Sequence, residues 1–264
     1  MNIVLFEGDC FFSRHDDRYQ HIRKILKKGE GDSFFAGIID GSEGTATITT
    51  MDDSGLTFTF HEDRSMRPLY PVSVIIGFPR PIQLKRLLRD VASLGVKEVL
   101  LAGTELGEKS YRKSSLVERG AARESLVEGC MQAGSSAVPA LDMFDSVEDA
   151  ISAVMGNFAE ARGVSAAVSG IRATSVTCAR LILLDTVNPE CSLIQAPLDG
   201  ISRRFPLVLA IGSERGWTAH EQVLFRNAGF MVCSLGSRIL RTETAATAAL
   251  GIALAKSGYM EGRE

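Results

Sequence analysis

The sequence lacks most of the features that identify a chemistry from composition alone. Its five cysteines, Cys10, Cys130, Cys178, Cys191 and Cys233, are odd in number and contain no Cys-x-x-Cys pair. That argues against both a disulfide framework and a structural zinc site, and the expectation is reduced core thiols. The four histidines, His15, His21, His61 and His220, show no ligand spacing, so no catalytic metal is expected. No apolar run approaches a membrane span, and Met1 to Glu7 has neither a basic start nor a cleavage signature. A cytoplasmic protein, with neither membrane nor metal as a partner, is the default.

A basic excess is also missing. With 29 Lys and Arg against 32 Asp and Glu, the formal net charge is -3. The distribution says more than the sum. Arg14, Arg18, Arg23, Lys24, Lys27 and Lys28 cluster with His15, Tyr19 and His21, opposed only by Asp16 and Asp17, while acids gather between Asp142 and Asp149. The cluster fits local phosphate contact, and it fits a solvated helix face equally well.

Several familiar motifs fail on spacing. Gly103 to Ser110 looks like a P-loop, but three residues separate its glycines and one separates Gly107 from Lys109, so no phosphate nest is specified. No Gly-x-Gly-x-x-Gly follows an apolar strand, and Gly212-Ser-Glu-Arg-Gly216 is not a nucleophile elbow. A dinucleotide-binding dehydrogenase and an α/β-hydrolase both recede.

What is present is a chain of 264 residues, 45% hydrophobic and 23% charged, enough for two domains. Up to residue 70 it is β-rich: Asn2 to Phe6, Ser33 to Ile39, Thr45 to Thr50 and Leu56 to His61 are short runs of Val, Ile, Thr and Phe separated by Gly and Asp. One helix is expected near Asp17 to Lys28. A small β-barrel of this size is a plausible substrate-docking module. Pro68-Leu-Tyr-Pro71 marks the boundary, giving domains 1–70 and 71–264.

Beyond it, strand-like runs at Val72 to Phe78, Val99 to Ala102, Leu181 to Leu184, Leu207 to Ile211 and Phe230 to Leu235 alternate with helix-period segments at Ile82 to Leu94 and Ser115 to Gln132. Apolar runs without alternation predict strands covered on both faces, hence an α/β fold with a parallel sheet. Gly163 to Thr177 fits a loop or a weakly specified strand. Thr218-Ala-His-Glu221 has capping-box spacing, and a last helix starts near Thr242. Because Ala245 to Ala255 is apolar all round, that helix is expected to be buried, with a second subunit as one candidate cover.

Two glycine-bearing loops follow apolar strands: Ile211-Gly212-Ser-Glu214-Arg-Gly216, and Leu235-Gly236-Ser-Arg238-Ile239-Leu240-Arg241. In open α/β sheets ligands bind at such strand ends, where glycine permits close backbone approach. Leu235, Ile239 and Leu240 offer apolar walls, with Arg238, Arg241 and Glu243 as neighbouring charges. Arg241 stands at the entrance of a helix, where exposed amides favour anions. The residues alone support a nucleotide-like ligand in an α/β crevice, or merely two tight turns.

The segment Leu235-Gly-Ser-Arg-Ile-Leu-Arg-Thr-Glu-Thr-Ala245, preceded by Ile211-Gly-Ser-Glu-Arg-Gly-Trp-Thr218 and Asn227-Ala-Gly-Phe230, resembles the C-terminal signature of the RsmE family. Gln20 to Leu26 with Lys28-Gly-Glu-Gly-Asp32 resembles that family's PUA-like RNA-binding domain, and Leu94-Gly-Val96 and Val138-Pro139 match other family segments. The resemblance implies methylation of N3 of a uridine in 16S ribosomal RNA, with S-adenosyl-L-methionine (SAM) as cofactor. It also implies a SPOUT-type sheet with a C-terminal trefoil knot and a homodimer that acts on ribosomal RNA or the small ribosomal subunit. On the family pattern Leu184, Ile211, Gly212, Glu214, Gly216, Leu235, Gly236, Ile239, Leu240 and Arg241 line the cofactor pocket. Arg238, Arg241 and Glu243 are the catalytic candidates, and Arg14, Arg18, Arg23, Lys24 and Lys27 the RNA contacts.

The chain departs from the family in places. Ser213 and Arg215 stand where the family has Pro and Gly, which strains the loop if Arg215 takes a positive φ. Asp90 and Ser93 replace a Lys and a Glu, the Gln-Ser-Gly-Arg segment is Gln132-Ala-Gly-Ser135, and Ala137 replaces a basic residue. Three functions stay open: the N3-uridine methyltransferase, a SPOUT methyltransferase acting on a different RNA site, and a non-catalytic RNA-binding ribosome assembly factor.

Overall fold

The computed structural model describes residues 1–114, 120–160 and 179–261. Its N-terminal part contains β1 (Val4–Phe6), β2 (Phe11–Ser13), α1 (Asp17–Gln20), β3 (Ser33–Ile38), β4 (Glu43–Met51) and β5 (Gly55–Arg64). The five strands pair in the order β1-β3-β4-β5-β2. Alternation sorts their faces: Leu56 and Phe58 are buried, whereas Thr57 turns to the other face and shares a hydrogen bond with Thr50 at 2.6 Å. Phe6, Phe12, Phe34 and Phe58 meet inside, Phe58 standing edge-on to Phe6 at 5.2 Å, and the sheet curls around them. Strand β2 escaped the sequence pattern because only Phe12 of its three residues faces inward.

The helix expected as far as Lys28 is shorter. Asp16 caps it, accepting from the Arg18 N–H at 2.8 Å; α1 then widens into a π-helical turn over His21–Ile25, and Lys27 ends the run at φ +54°.

The larger part comprises β6 (Tyr70–Gly77), α2 (Pro81–Ser93), β7 (Val96–Ala102), α3 (Ala121–Ala133), β8 (Ala140–Phe144), α4 (Val147–Glu160), β9 (Arg180–Leu184), β10 (Cys191–Ser192), β11 (Leu207–Ile211), α5 (Ala219–Asn227), β12 (Met231–Ser234) and α6 (Thr242–Lys256). Seven strands form one sheet, β10-β12-β9-β11-β6-β7-β8, and every pairing is parallel. The continuous apolar runs are explained by cover on both faces. Val72, Val74 and Ile76 of β6 pack with Leu207 and Leu209 of β11 towards α2 and α6, while Ile75, Val208 and Ala210 face Ile151 and Val154 of α4 and Phe225 of α5.

Helix α3 begins at Ala121, later than expected, after Gly120 at φ +71°. Residues 115–119 of that predicted helix, the segment Gly163 to Thr177 and Cys178 lie outside the described residues. Cys130 and Cys233 are core thiols; burial, joined at Cys233 by the Cys191 thiol, pushes each up to about 12. Cys10 and Cys191 are only half-buried, Cys191 because it lies on the edge strand β10. Among the described residues no helix is long and apolar enough to cross a membrane, and no group of three or more His, Cys, Asp or Glu could hold a metal ion.

Candidate active site

Loops leaving the C-terminal ends of β9, β11 and β12 enclose one cleft with the start of α6. The β11 loop is a tight turn in which the Gly216 N–H donates to the Ser213 carbonyl at 2.9 Å, and Gly216 takes φ +69°. Arg215 is not among the residues with positive φ. The strain foreseen at Arg215 is therefore absent, because the following glycine absorbs the reversal. A Cβ on Gly212 would lie 2.9 Å from Gly216 Cα, so glycine is required there by the turn's own backbone. Thr242, buried at the head of α6, donates its hydroxyl to the Gly212 carbonyl at 3.1 Å.

A second set of bonds supports this turn from β7. The Thr218 hydroxyl accepts from the Glu221 N–H at 3.1 Å and Glu221 Oε2 accepts from the Thr218 N–H at 2.8 Å, the reciprocal box that starts α5. Buried Glu221 also accepts from the Glu105 N–H at 2.9 Å. The Glu105 carboxylate in turn receives the Thr218 hydroxyl at 2.5 Å and lies 2.6 Å from His220 Nδ1. The Thr218 hydroxyl first, and then His220, hold the Glu105 carboxyl below its ordinary value.

The cleft gathers most of the residues named from sequence. Leu184, Ile211, Leu235 and Leu240 give it apolar walls, Gly212 and Gly216 give it backbone, and Glu214, Arg238 and Ile239 stand at its rim. Glu214 is exposed and anchors the loop after β6 by accepting from the Arg80 N–H at 2.8 Å. Gly236, Arg241 and Glu243 are neighbours of the cleft and do not line it. The phase of α6 explains this: Thr242 and Ala245, three residues apart, turn to the cleft, while Glu243 lies outside it, near enough to Asp90 of α2 for its charge to add to burial, the larger cause, in raising that carboxyl. Asp185, Thr186, Ser213 and Trp217 also line the cleft and were not named as pocket residues from sequence, Ser213 having been noted only for its departure from the family. For Asp185 and Thr186 the signal was available, since they directly follow the apolar run Leu181 to Leu184 at a strand end.

Residues 65–254, most of the chain, match the family model described as an RNA methyltransferase domain, and residues 16–60 match an RNA methyltransferase PUA domain. The chain belongs to this RNA methyltransferase family. It is 39% identical to the ribosomal RNA small subunit methyltransferase E of Treponema pallidum, over 97% of this chain and 92% of that one. A second relative, the small subunit methyltransferase E 1 of Borreliella burgdorferi, is 29% identical over 97% of this chain and 98% of its own. The crystal structure of the Neisseria gonorrhoeae methyltransferase E bound to S-adenosyl methionine superposes with a TM-score of 0.72 at 19% identity, covering 97% of this chain and 98% of that one. That likeness shows that the two proteins share a fold across both the N-terminal sheet and the larger parallel sheet.

The basic cluster at the start of the N-terminal sheet divides in two. Arg14, Arg23, Lys24 and Lys27 are exposed; Arg23 also donates to the Tyr19 hydroxyl at 2.6 Å. Arg18 is consumed by the fold. Its guanidinium bonds both Asp16 oxygens, at 2.9 and 2.6 Å, and the Leu5 carbonyl at 2.9 Å, and it lies over the Phe12 ring at 4.2 Å.

Proposed function

We propose that this methyltransferase transfers the methyl group of SAM to N3 of a uridine in 16S ribosomal RNA, acting in the cytoplasm on ribosomal RNA or the small subunit. The observation that carries the reading is the cleft between the Gly212–Gly216 turn and the Leu235–Ala245 segment, in a chain 39% identical over nearly its full length to a small subunit methyltransferase E. The residues fit such a cofactor: Leu184, Ile211, Leu235 and Leu240 suit an adenine, the Gly212 and Gly216 backbone allows close approach, and Asp185 and Thr186 offer polar partners for a ribose. We take 1–70 as the RNA-gripping domain and 71–264 as the catalytic one, with a trefoil knot at its C-terminal end.

When bound, the cofactor supplies an electrophilic methyl on sulfur. The new N3–C bond forms as the C–S bond breaks, and the N3 proton must leave. Arg238, at the cleft, stabilises the negative charge that develops on the imide, with Arg241 beside it at the entrance of α6. Of the two carboxylates that line the cleft, Asp185 and Glu214, Glu214 takes the proton, with Glu243, one residue beyond the cleft-lining Thr242, as the second candidate. N3 lies on the pairing edge of uracil, so the base enters unpaired. Ile239 is 90% exposed although it borders the cleft, and the outer face of α6 carries Thr244, Thr247 and Ala255 towards solvent. A second copy covering both completes the site as a homodimer.

Ser135 and Ala137, in place of basic residues, favour one variant of this reading, a different RNA target. Mass spectrometry of 16S RNA from a deletion strain, paired with calorimetric titration of SAM, decides. Loss of 3-methyluridine supports the proposal. Unchanged methyluridine with intact SAM binding moves the substrate elsewhere, and absent SAM binding leaves an assembly factor.

A further inference from the structure

Between α3 and β8 the chain runs from Gly134 to Pro139 beside the β3–β4 turn of the N-terminal sheet, and the two segments are stitched together in both directions. The Asp40 N–H donates to the Ser136 carbonyl at 2.9 Å, and the Val138 N–H donates to Asp40 Oδ1 at 2.8 Å. The Ser136 hydroxyl donates to the Gly41 carbonyl at 2.6 Å, and the Ser136 N–H donates to Glu43 Oε1 at 2.9 Å. Asp40 holds φ +57° to reach this arrangement, a conformation aspartate tolerates better than most residues.

Glu43 is the centre of the junction. Its side chain is 0% exposed. One oxygen serves Ser136, and the other receives Arg64 from Nε at 2.8 Å and from Nη2 at 2.8 Å. Arg67 donates to the Gly134 carbonyl and places its Nε 4.0 Å from the same Glu43 oxygen. A buried carboxylate is costly even when all its lone pairs are used, and apolar residues of similar volume often hold such a contact as firmly. What the carboxylate adds is direction. Apolar surfaces slide on one another, whereas the three bonds from Ser136 and Arg64 have fixed geometry and set an angle. The sheets also meet through Ile3 and Leu5 in the main core and through the Asn2 and Ile3 N–H groups on the Met131 carbonyl, so the junction without Glu43 is loosened and not broken.

We propose that Glu43 is a positioning residue that fixes the orientation of the RNA-gripping sheet relative to the methyltransferase sheet, through Ser136 on one side and Arg64 on the other. Glu43 touches neither the cofactor cleft nor the basic cluster. The inference rests on the reading that the N-terminal sheet grips RNA. It gives the altered Ser135–Ala137 segment a role in joining the domains.

The test uses the full chain carrying Glu43→Ala, Glu43→Gln or Ser136→Ala. In Glu43→Ala, hydrogen exchange over residues 38–44 and 134–139 is expected to quicken about tenfold while the rest of the chain keeps its protection. The kcat on ribosomal RNA falls about tenfold or more through misalignment, with the Kd for SAM within about twofold and that for RNA within about threefold of the parent. Glu43→Gln keeps an acceptor for the Ser136 N–H and retains most of kcat. Unchanged exchange at the junction overturns the proposal, as does a loss of kcat that only tracks SAM affinity or the folded fraction. If Glu43→Ala fails to fold, Ser136→Ala, which removes the hydroxyl bonds to Gly41 and Glu43, carries both measurements, with Glu43→Gln as the conservative control. If the parent protein methylates no RNA, the functional reading falls, and exchange at the junction still decides whether Glu43 is the clasp.

Discussion

The hydroxyl of Thr242 and the carbonyl of Gly212, 3.1 Å apart, join the start of α6 to the end of β11, and so hold together the two walls of the cleft. Thr242→Val preserves the volume and leaves that carbonyl without its partner, at a cost of about 1–3 kcal/mol. Because the bond spans the cleft, the expected result is a SAM affinity about tenfold weaker by calorimetry, with a fall of a few degrees in Tm. Unaltered affinity would show that the loop holds its shape without this bond.

Two glycines of the β11 loop should fail for different reasons. Gly212→Ala puts a methyl group 2.9 Å from Gly216 Cα and 3.1 Å from its carbonyl carbon, so the turn itself must open. Gly216→Ala meets no atom within 4 Å and instead forces a side chain into φ +69°, worth about 1–2 kcal/mol. Calorimetry and thermal melts should rank Gly212→Ala as losing SAM binding, and Gly216→Ala as stably folded with weaker binding. The reverse order would disprove this account of the turn.

How much of this was legible in the sequence depends on whether a feature is local. The Thr218–Glu221 box, the start of α6 at Thr242 and the pair of strand-end loops are local, and each is readable from spacing. The direction of Glu243 is not, because only packing against α2 fixes the rotational phase of α6. Arg18 resembles its basic neighbours until Asp16, Leu5 and Phe12 come together around it. Strand β8 gives no signal because, at the sheet edge, its residues are exposed or half-exposed without alternation. Ser136 gives none of its own either, since its partners Gly41 and Glu43 lie more than ninety positions away.

Asp90 and Glu243 oppose each other. Burial first, and then the charge of Glu243, raise the Asp90 carboxyl above its ordinary 3.8, with Arg89 acting the other way; Glu243 Oε2 is itself buried without a hydrogen-bond partner among the described residues. A carboxyl whose folded-state pKa is raised costs stability once ionised. That cost is absent below 3.8, grows as pH rises through the window up to the raised value, and is complete above it. Asp90→Asn should therefore raise Tm at neutral pH by about 2 °C, the solvent exposure of Asp90 keeping the effect small. Asp90→Lys, which gives Glu243 an opposite charge, should gain at least as much. For Asp90→Asn, thermal melts across the acid range should show the gain shrinking towards pH 3.8, and a gain independent of pH would remove charge as its cause.

The division within the basic cluster predicts two kinds of variant. Lys24 and Lys27 are exposed, and neither has a carboxylate partner among the described ion pairs. Lys24→Glu with Lys27→Glu should leave the melt close to that of the parent. If both lysines touch phosphates, RNA affinity falls and the slope of log K against log salt decreases by about 0.7–0.9 for each phosphate no longer neutralised. Arg18→Glu should do the opposite. It places a carboxylate against Asp16, strips the Leu5 carbonyl of its donor and removes the cation from the Phe12 ring, so the domain loses about 2 kcal/mol or more, seen in the melt. Its effect on RNA should follow the unfolded fraction. A salt slope unchanged in the double lysine variant would eliminate this face as the RNA contact, whatever Arg18→Glu does.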